Sequence, residues 1–196
     1  MKVYAISRLA KPKGRYQNYA LLDLQERDAK LLNLAKVFHG RPFPREWKPL
    51  ELYNTTPLRP KADFYGFGGG WVCSERAVEL AGEPLEMCGE LLTVSIQGES
   101  GRFFIFNCTN CMNVLDPIKS QWSTYGPDGE YKHLDQPAFY PERFDETCLF
   151  KIPEDGASTT YCLQRSGEAD EGDFKAIVEL HSLTGLKFDL VWSQDP

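Results

Sequence analysis

Met1 to Leu9 alternates Val3 and Ala5 with Tyr4 and Ile6, the period-two pattern of a strand, and Tyr19 to Leu24 continues a sheet after the turn residues Lys11-Pro12-Lys13-Gly14. The period then changes. Leu31, Leu34, Ala35 and Phe38 recur at spacings of three and four, which predicts a helix over 27–38 that ends before Gly40. From Arg41 to Lys61, Pro42, Pro44, Pro49, Pro57 and Pro60 each lack a backbone donor and constrain the residue before them. That stretch is expected to be an extended connection over the core, without long regular elements.

The second half is more sharply patterned. Ser74 can cap free helix amides, with Cys73 and Val78 placed as a hydrophobic staple; Ala77, Val78 and Ala81 give an inward face, and Gly82 is expected to end the helix. Leu91–Ile96 and Phe103–Phe106 flank Gln97-Gly98-Glu99-Ser100-Gly101, a strand-turn-strand signal. Further strands are expected at Cys148–Ile152 and Thr159–Leu163. Asp173 can cap a helix with Phe174, Ile177, Val178 and His181 on one face, Gly185 is placed to stop it, and Leu186, Phe188 and Leu190 alternate along a final strand. The sum is an α+β fold: mostly antiparallel sheet with two or three packed helices.

With 196 residues and 42% apolar content, the chain can close one sizeable core. Residues 1–62 read as a strand, a helix and a Pro-rich connection packed on the same core as an α+β unit over 63–192. The net charge of -6 opposes nonspecific binding to nucleic acid or anionic membrane and suits a basic protein partner. Around Lys2 and Arg8 there is no continuous apolar run of signal-peptide type, and no stretch has membrane-spanning length, so a cytoplasmic protein is expected. In that setting the six cysteines read as reduced thiols filling apolar positions.

Cys108-Thr109-Asn110-Cys111 has the spacing of a redox pair or half a zinc site, yet little helical pattern follows it and no second Cys or His pair completes it. Gly66-Phe67-Gly68-Gly69-Gly70 precedes a helix, as phosphate loops do, but fits neither the dinucleotide fingerprint nor the P-loop; a flexible loop or close backbone crossing suits it better. No Ser, Cys or Thr lies in a nucleophile-elbow sequence, and His181 reads as a packed residue, so neither an enzyme nor a cofactor is expected. Between Gln121 and Tyr140, Trp122, Tyr125, Tyr131, Phe139 and Tyr140 stand among Asp128, Glu130 and Asp135. These aromatics either cover the domain's own sheet edge or anchor a basic partner. Glu168, Asp170 and Glu171 form a second acidic turn that can steer association.

Five segments in order carry a resemblance: Val72-Cys73-Ser74-Glu75-Arg76-Ala77, Phe103-Phe104-Ile105-Phe106-Asn107, Val114-Leu115-Asp116 with Ser120, Leu149-Phe150-Lys151-Ile152, and Leu183-Thr184-Gly185-Leu186-Lys187-Phe188. Over residues 63–192 the chain resembles the bacterial polymorphic-toxin immunity family of the MXAN-0049 type. The resemblance implies a small cytoplasmic protein that binds and blocks a cognate toxin domain, with no catalytic residues to carry over. Cys108 and Cys111 depart from the family pattern. The competing expectation is a thiol-dependent redox or metal-binding protein centred on that pair.

Overall fold

The computed structural model describes residues 1–8, 19–21, 38–43, 46–54, 60–67, 69–165 and 173–194; of the helix expected over 27–38 only Phe38 lies among them, and the acidic turn at Glu168, Asp170 and Glu171 lies outside. In chain order the strands are β1 (Lys2–Arg8), β2 (Tyr19–Leu21), β3 (Leu50–Asn54), β4 (Phe64–Phe67), β5 (Gly70–Ser74), β6 (Gly89–Ile96) and β7 (Phe103–Cys108). There follow β8 (Gln121–Tyr125), β9 (Tyr131–Gln136), β10 (Leu149–Phe150), β11 (Thr160–Gln164) and β12 (Leu186–Ser193). The helices are α1 (Glu75–Cys88) and α2 (Phe174–Leu180). The fold is α+β: one sheet has the order β10-β11-β1-β12, a second β2-β3-β6-β7-β5-β4, and β8 pairs only with β9. Among the described strands, all pairings are antiparallel except β3 with β6. Among the described residues no helix is long and apolar enough to cross a membrane.

Strand alternation divides the core into faces. Trp71, Cys73, Phe106 and Cys108 point from the six-stranded sheet into one cluster with Ala77, Ala81, Leu85 and Cys88 of α1, Phe174 and Ile177 of α2, and Ile6 and Cys162 of the four-stranded sheet. Their neighbours Val72 and Ile105 point the opposite way, into a cluster covered by Phe38, Phe43 and Trp47. Val3, Tyr161 and Leu163 form a third cluster on the outer face of the four-stranded sheet, under Met112, Leu115 and Phe139. The segment from Phe38 to Phe43 is fastened by polar groups. Lys151, wholly buried, donates from Nζ to the carbonyls of Phe38 (2.5 Å) and Gly69 (3.0 Å). Asn107 donates to the Arg41 carbonyl and to Glu90 Oε2, which also receives the Phe43 amide.

Ser74 caps α1 as expected, accepting the Ala77 amide at 3.2 Å. Ser74→Ala is expected to lower the denaturation midpoint by an amount equivalent to about 1 kcal/mol; an unchanged midpoint would remove the cap from the account. The helix does not end at Gly82. It kinks at Ala81 (φ -122°, ψ 17°) and continues to Cys88, because Leu85 and Cys88 bury into the first cluster and Pro84 falls in the first turn after the kink, where no amide donor is required.

Two other expectations are corrected, and the reading of the glycine-rich segment is narrowed. The Pro-rich connection contains β3, which adds a parallel strand beside β6 and buries Leu52. Of the glycine-rich segment, Gly66 and Phe67 belong to β4 and Gly70 opens β5, and the whole of β5 separates them from the start of α1. Gly70 serves the expected close backbone crossing, since a Cβ there would lie 2.5 Å from the Phe106 carbonyl. Finally, α2 ends at Leu180, ahead of Gly185, and His181 is exposed; its carbonyl receives Arg76 at 2.7 Å.

Asp63 draws two of the distant sequence segments together. Its carboxylate accepts from Arg76 (3.0 Å), from the Thr184 amide (2.8 Å) and from the Thr184 hydroxyl (2.9 Å), while the amides of Asp63 and Phe64 donate to the Thr184 carbonyl. One carboxylate thereby joins β4, the start of α1 and the turn into β12.

Candidate functional site

Gln121 to Gln136 form a β-hairpin standing off the body. Its root is made by the turn after Leu115. The Asp116 carboxylate accepts the Ile118 and Lys119 amides, and Ser120 Oγ donates to the Asp116 carbonyl while accepting the Ala138 amide at 2.9 Å. Desolvation would raise the Asp116 carboxyl, but the Lys119 and Ile118 amides hold it below its ordinary value. The Leu115–Phe139 bridge and the Tyr140 amide on the Val114 carbonyl close the root from both sides. Residues Asp116 and Ser120 of the sequence resemblance thus fix where the hairpin leaves the domain.

Trp122 and Leu134 are cross-strand partners that rest on the third cluster. Alternation then places Tyr125 and Tyr131, also partners, on the face turned away from the body. Their rings stack at 5.3 Å, yet the residues remain 58% and 54% exposed. The same face carries Ser123, whose hydroxyl donates to Asp135 at 3.0 Å, and His133, 4.0 Å from that carboxylate. Asp128 and Glu130 are exposed in the turn, which is shaped by Gly126 and Gly129 at positive φ. An outward aromatic pair beside carboxylates on a rigidly rooted ribbon is suited to contact with a cationic protein surface, not to bond-making chemistry.

The predicted residues therefore divide. Tyr125, Asp128, Glu130 and Tyr131 share the exposed tip, while Trp122 is half-buried and anchors the ribbon. Phe139 is core, and Tyr140, under the Arg143 guanidinium, belongs to the root. Sequence reasoning missed Asp116 and Ser120 as the root clamp, although the Asp-x-x-x-Ser spacing with Pro117 is a turn signal.

Cys108 and Cys111 occupy different surroundings. Cys108 is buried, and desolvation pushes its thiol up to about 12; Cys111 is exposed, lies against Gly40, and is also raised, by partial burial and then by Asp155 and Glu154. Neither is an activated thiolate. A polar cleft of about 600 Å³ at the start of α1 is rimmed by charges already paired with each other, Lys61 with Glu99 and Arg102 with Glu75. No family model matches this chain, and no curated protein matches it either.

Proposed function

We propose that the chain is an immunity protein that binds a cognate toxin domain stoichiometrically in the cytoplasm and occludes its active site without turnover of its own. The observation that carries this reading is the outward Tyr125–Tyr131 stack with Asp128 and Glu130 beside it, on a ribbon whose other face is anchored by Trp122 and Leu134. An exposed aromatic pair adds little to its own fold but is the residue type that dominates interface energies when buried by a partner. Acidic tip residues suit a toxin whose active site is cationic because it handles nucleic acid or nucleotides. The ordered resemblance to the immunity family supports the same reading.

The test is co-expression with the C-terminal domain encoded by the adjacent gene, scored for growth rescue and for a stable one-to-one complex. The double variant Tyr125→Ala/Tyr131→Ala is expected to weaken the complex at least ~30-fold, about 2 kcal/mol, while changing folding stability by less than about 1 kcal/mol. Asp128→Lys with Glu130→Lys should slow association, more so at low salt. Rescue and affinity unaffected by all four changes would move the interface elsewhere; neither rescue nor complex would remove the reading for that neighbour.

A further inference from the structure

We propose that Cys88 and Cys148 are a two-thiol redox site that closes reversibly to a disulfide with a low-molecular-weight disulfide of the glutathione type. The fold brings them together from opposite sides of the first core cluster. Cys88 is the last residue of α1, and its carbonyl receives the amides of Thr109 and Asn110. Cys148 immediately precedes β10, and its carbonyl receives the Leu163 amide. Asn110 then grips the chain on either side of Cys148, donating from Nδ2 to Thr147 Oγ1 (2.7 Å) and to the Leu149 carbonyl (2.9 Å). The Leu149 amide donates to Cys88 Sγ (3.4 Å), which sets the preceding residue, Cys148, beside that sulfur, packed against the same core cluster. Joining the pair requires the two sulfurs to reach a bond length of about 2 Å.

The hydrogen-bonding supplies the activation. Donation by the Cys148 thiol, opposed by burial and aided by the Leu149 amide, lowers Cys88, and the same interaction raises Cys148. Of the two, Cys88 is therefore the readier to give up its proton and to take one from Cys148. Cys88 is buried and Cys148 is half-exposed, so Cys148 makes the first attack. As its sulfur bonds to one sulfur of the small disulfide, its proton passes to Cys88 and the other sulfur leaves as a thiolate. That thiolate takes the proton from Cys88, whose sulfur then attacks Cys148 Sγ and expels the second small thiolate. Two protein thiols are oxidised and one disulfide is reduced to two thiols.

The test is incubation of the whole protein with oxidised glutathione, followed by alkylation of the remaining thiols, intact mass measurement and peptide mapping. The expected result is loss of two of the six thiols, with the peptides of Cys88 and Cys148 linked, a raised melting temperature, and full reversal by dithiothreitol. Cys148→Ser should retain all five of its thiols under the same treatment. Because the mapping is done on the unaltered protein, a poorly folding variant does not affect the outcome. Six free thiols after oxidation, or a linkage through Cys162 or Cys111, would overturn the assignment.

Discussion

Gly185→Ala is expected to be the most damaging single methyl group that can be added to this protein, lowering stability by about 4 kcal/mol or preventing folding altogether. Gly185 has φ +108°, and a Cβ there would sit 2.0 Å from the Phe64 carbonyl oxygen and 3.2 Å from Ala62 Cβ. The backbone cannot step aside, because the preceding residue is bonded to β4 through its carbonyl and to Asp63 through its amide and hydroxyl. Relief of the collision would break the junction that joins β4, α1 and β12. Gly98→Ala is the control: its φ is +78°, but nothing lies within 4 Å of the added methyl, so only a conformational cost of about 1–2 kcal/mol is expected. Urea denaturation of both variants decides the matter, and equal losses would show that backbone strain, not contact, governs Gly185.

The second large effect is alkaline destabilisation. Burial raises the thiols of Cys73, Cys108 and Cys162 above the ordinary value of 9.0, so above that pH the unfolded chain releases protons that the folded chain retains, and folding becomes less favourable as pH rises. Each thiol approaches a slope of about 1.4 kcal/mol per pH unit. Lys151 acts in the opposite sense. Desolvation lowers its folded pKa, so the unfolded chain holds the extra proton up to the ordinary 10.5, and the contribution of this group makes stability rise with pH in that window. With Cys148 adding to the three thiols and Cys88 joining Lys151 on the other side, the raised groups outnumber the lowered ones, and a net loss of stability is expected from about pH 8 to about pH 10.5. Urea midpoints measured in reductant across that range test it; a flat profile, or an undiminished slope after Cys73, Cys108 and Cys162 are replaced by Ala, would refute the assignment.

Legibility in the sequence followed the strength of one-sided burial. β1, β6 and β7 announce themselves because one face meets a helix or a strap and the other meets something different, and the caps Ser74 and Asp173 announce themselves because a short oxygen-bearing side chain precedes an apolar period. The β8–β9 ribbon is exposed on nearly all positions, so it carries no alternation, and its tyrosines look the same in sequence as the core Phe139. Gly185 looked like a helix stop, yet its requirement comes from Phe64, on a strand over a hundred residues away. The cysteines show the same limit. Cys108 and Cys111 drew notice through their close spacing and turn out to be raised thiols, whereas Cys88 and Cys148 have no motif because the contact exists only after α1 and β10 are packed.

β1 lies between β11 and β12, with Tyr4 bonded through its hydroxyl to Gln164, 160 residues away, and Lys2 opposite Ser193. During synthesis the first strand therefore emerges without either neighbour and waits for nearly the whole chain before its backbone groups can be paired. At a translation rate of about 5–20 residues per second this interval is roughly ten seconds or more. Through that time β1 is an unpaired apolar strand, open to pairing with the β1 of another nascent copy or with a chaperone, and a covalent fusion ahead of Lys2 would be carried on an interior strand of the finished sheet.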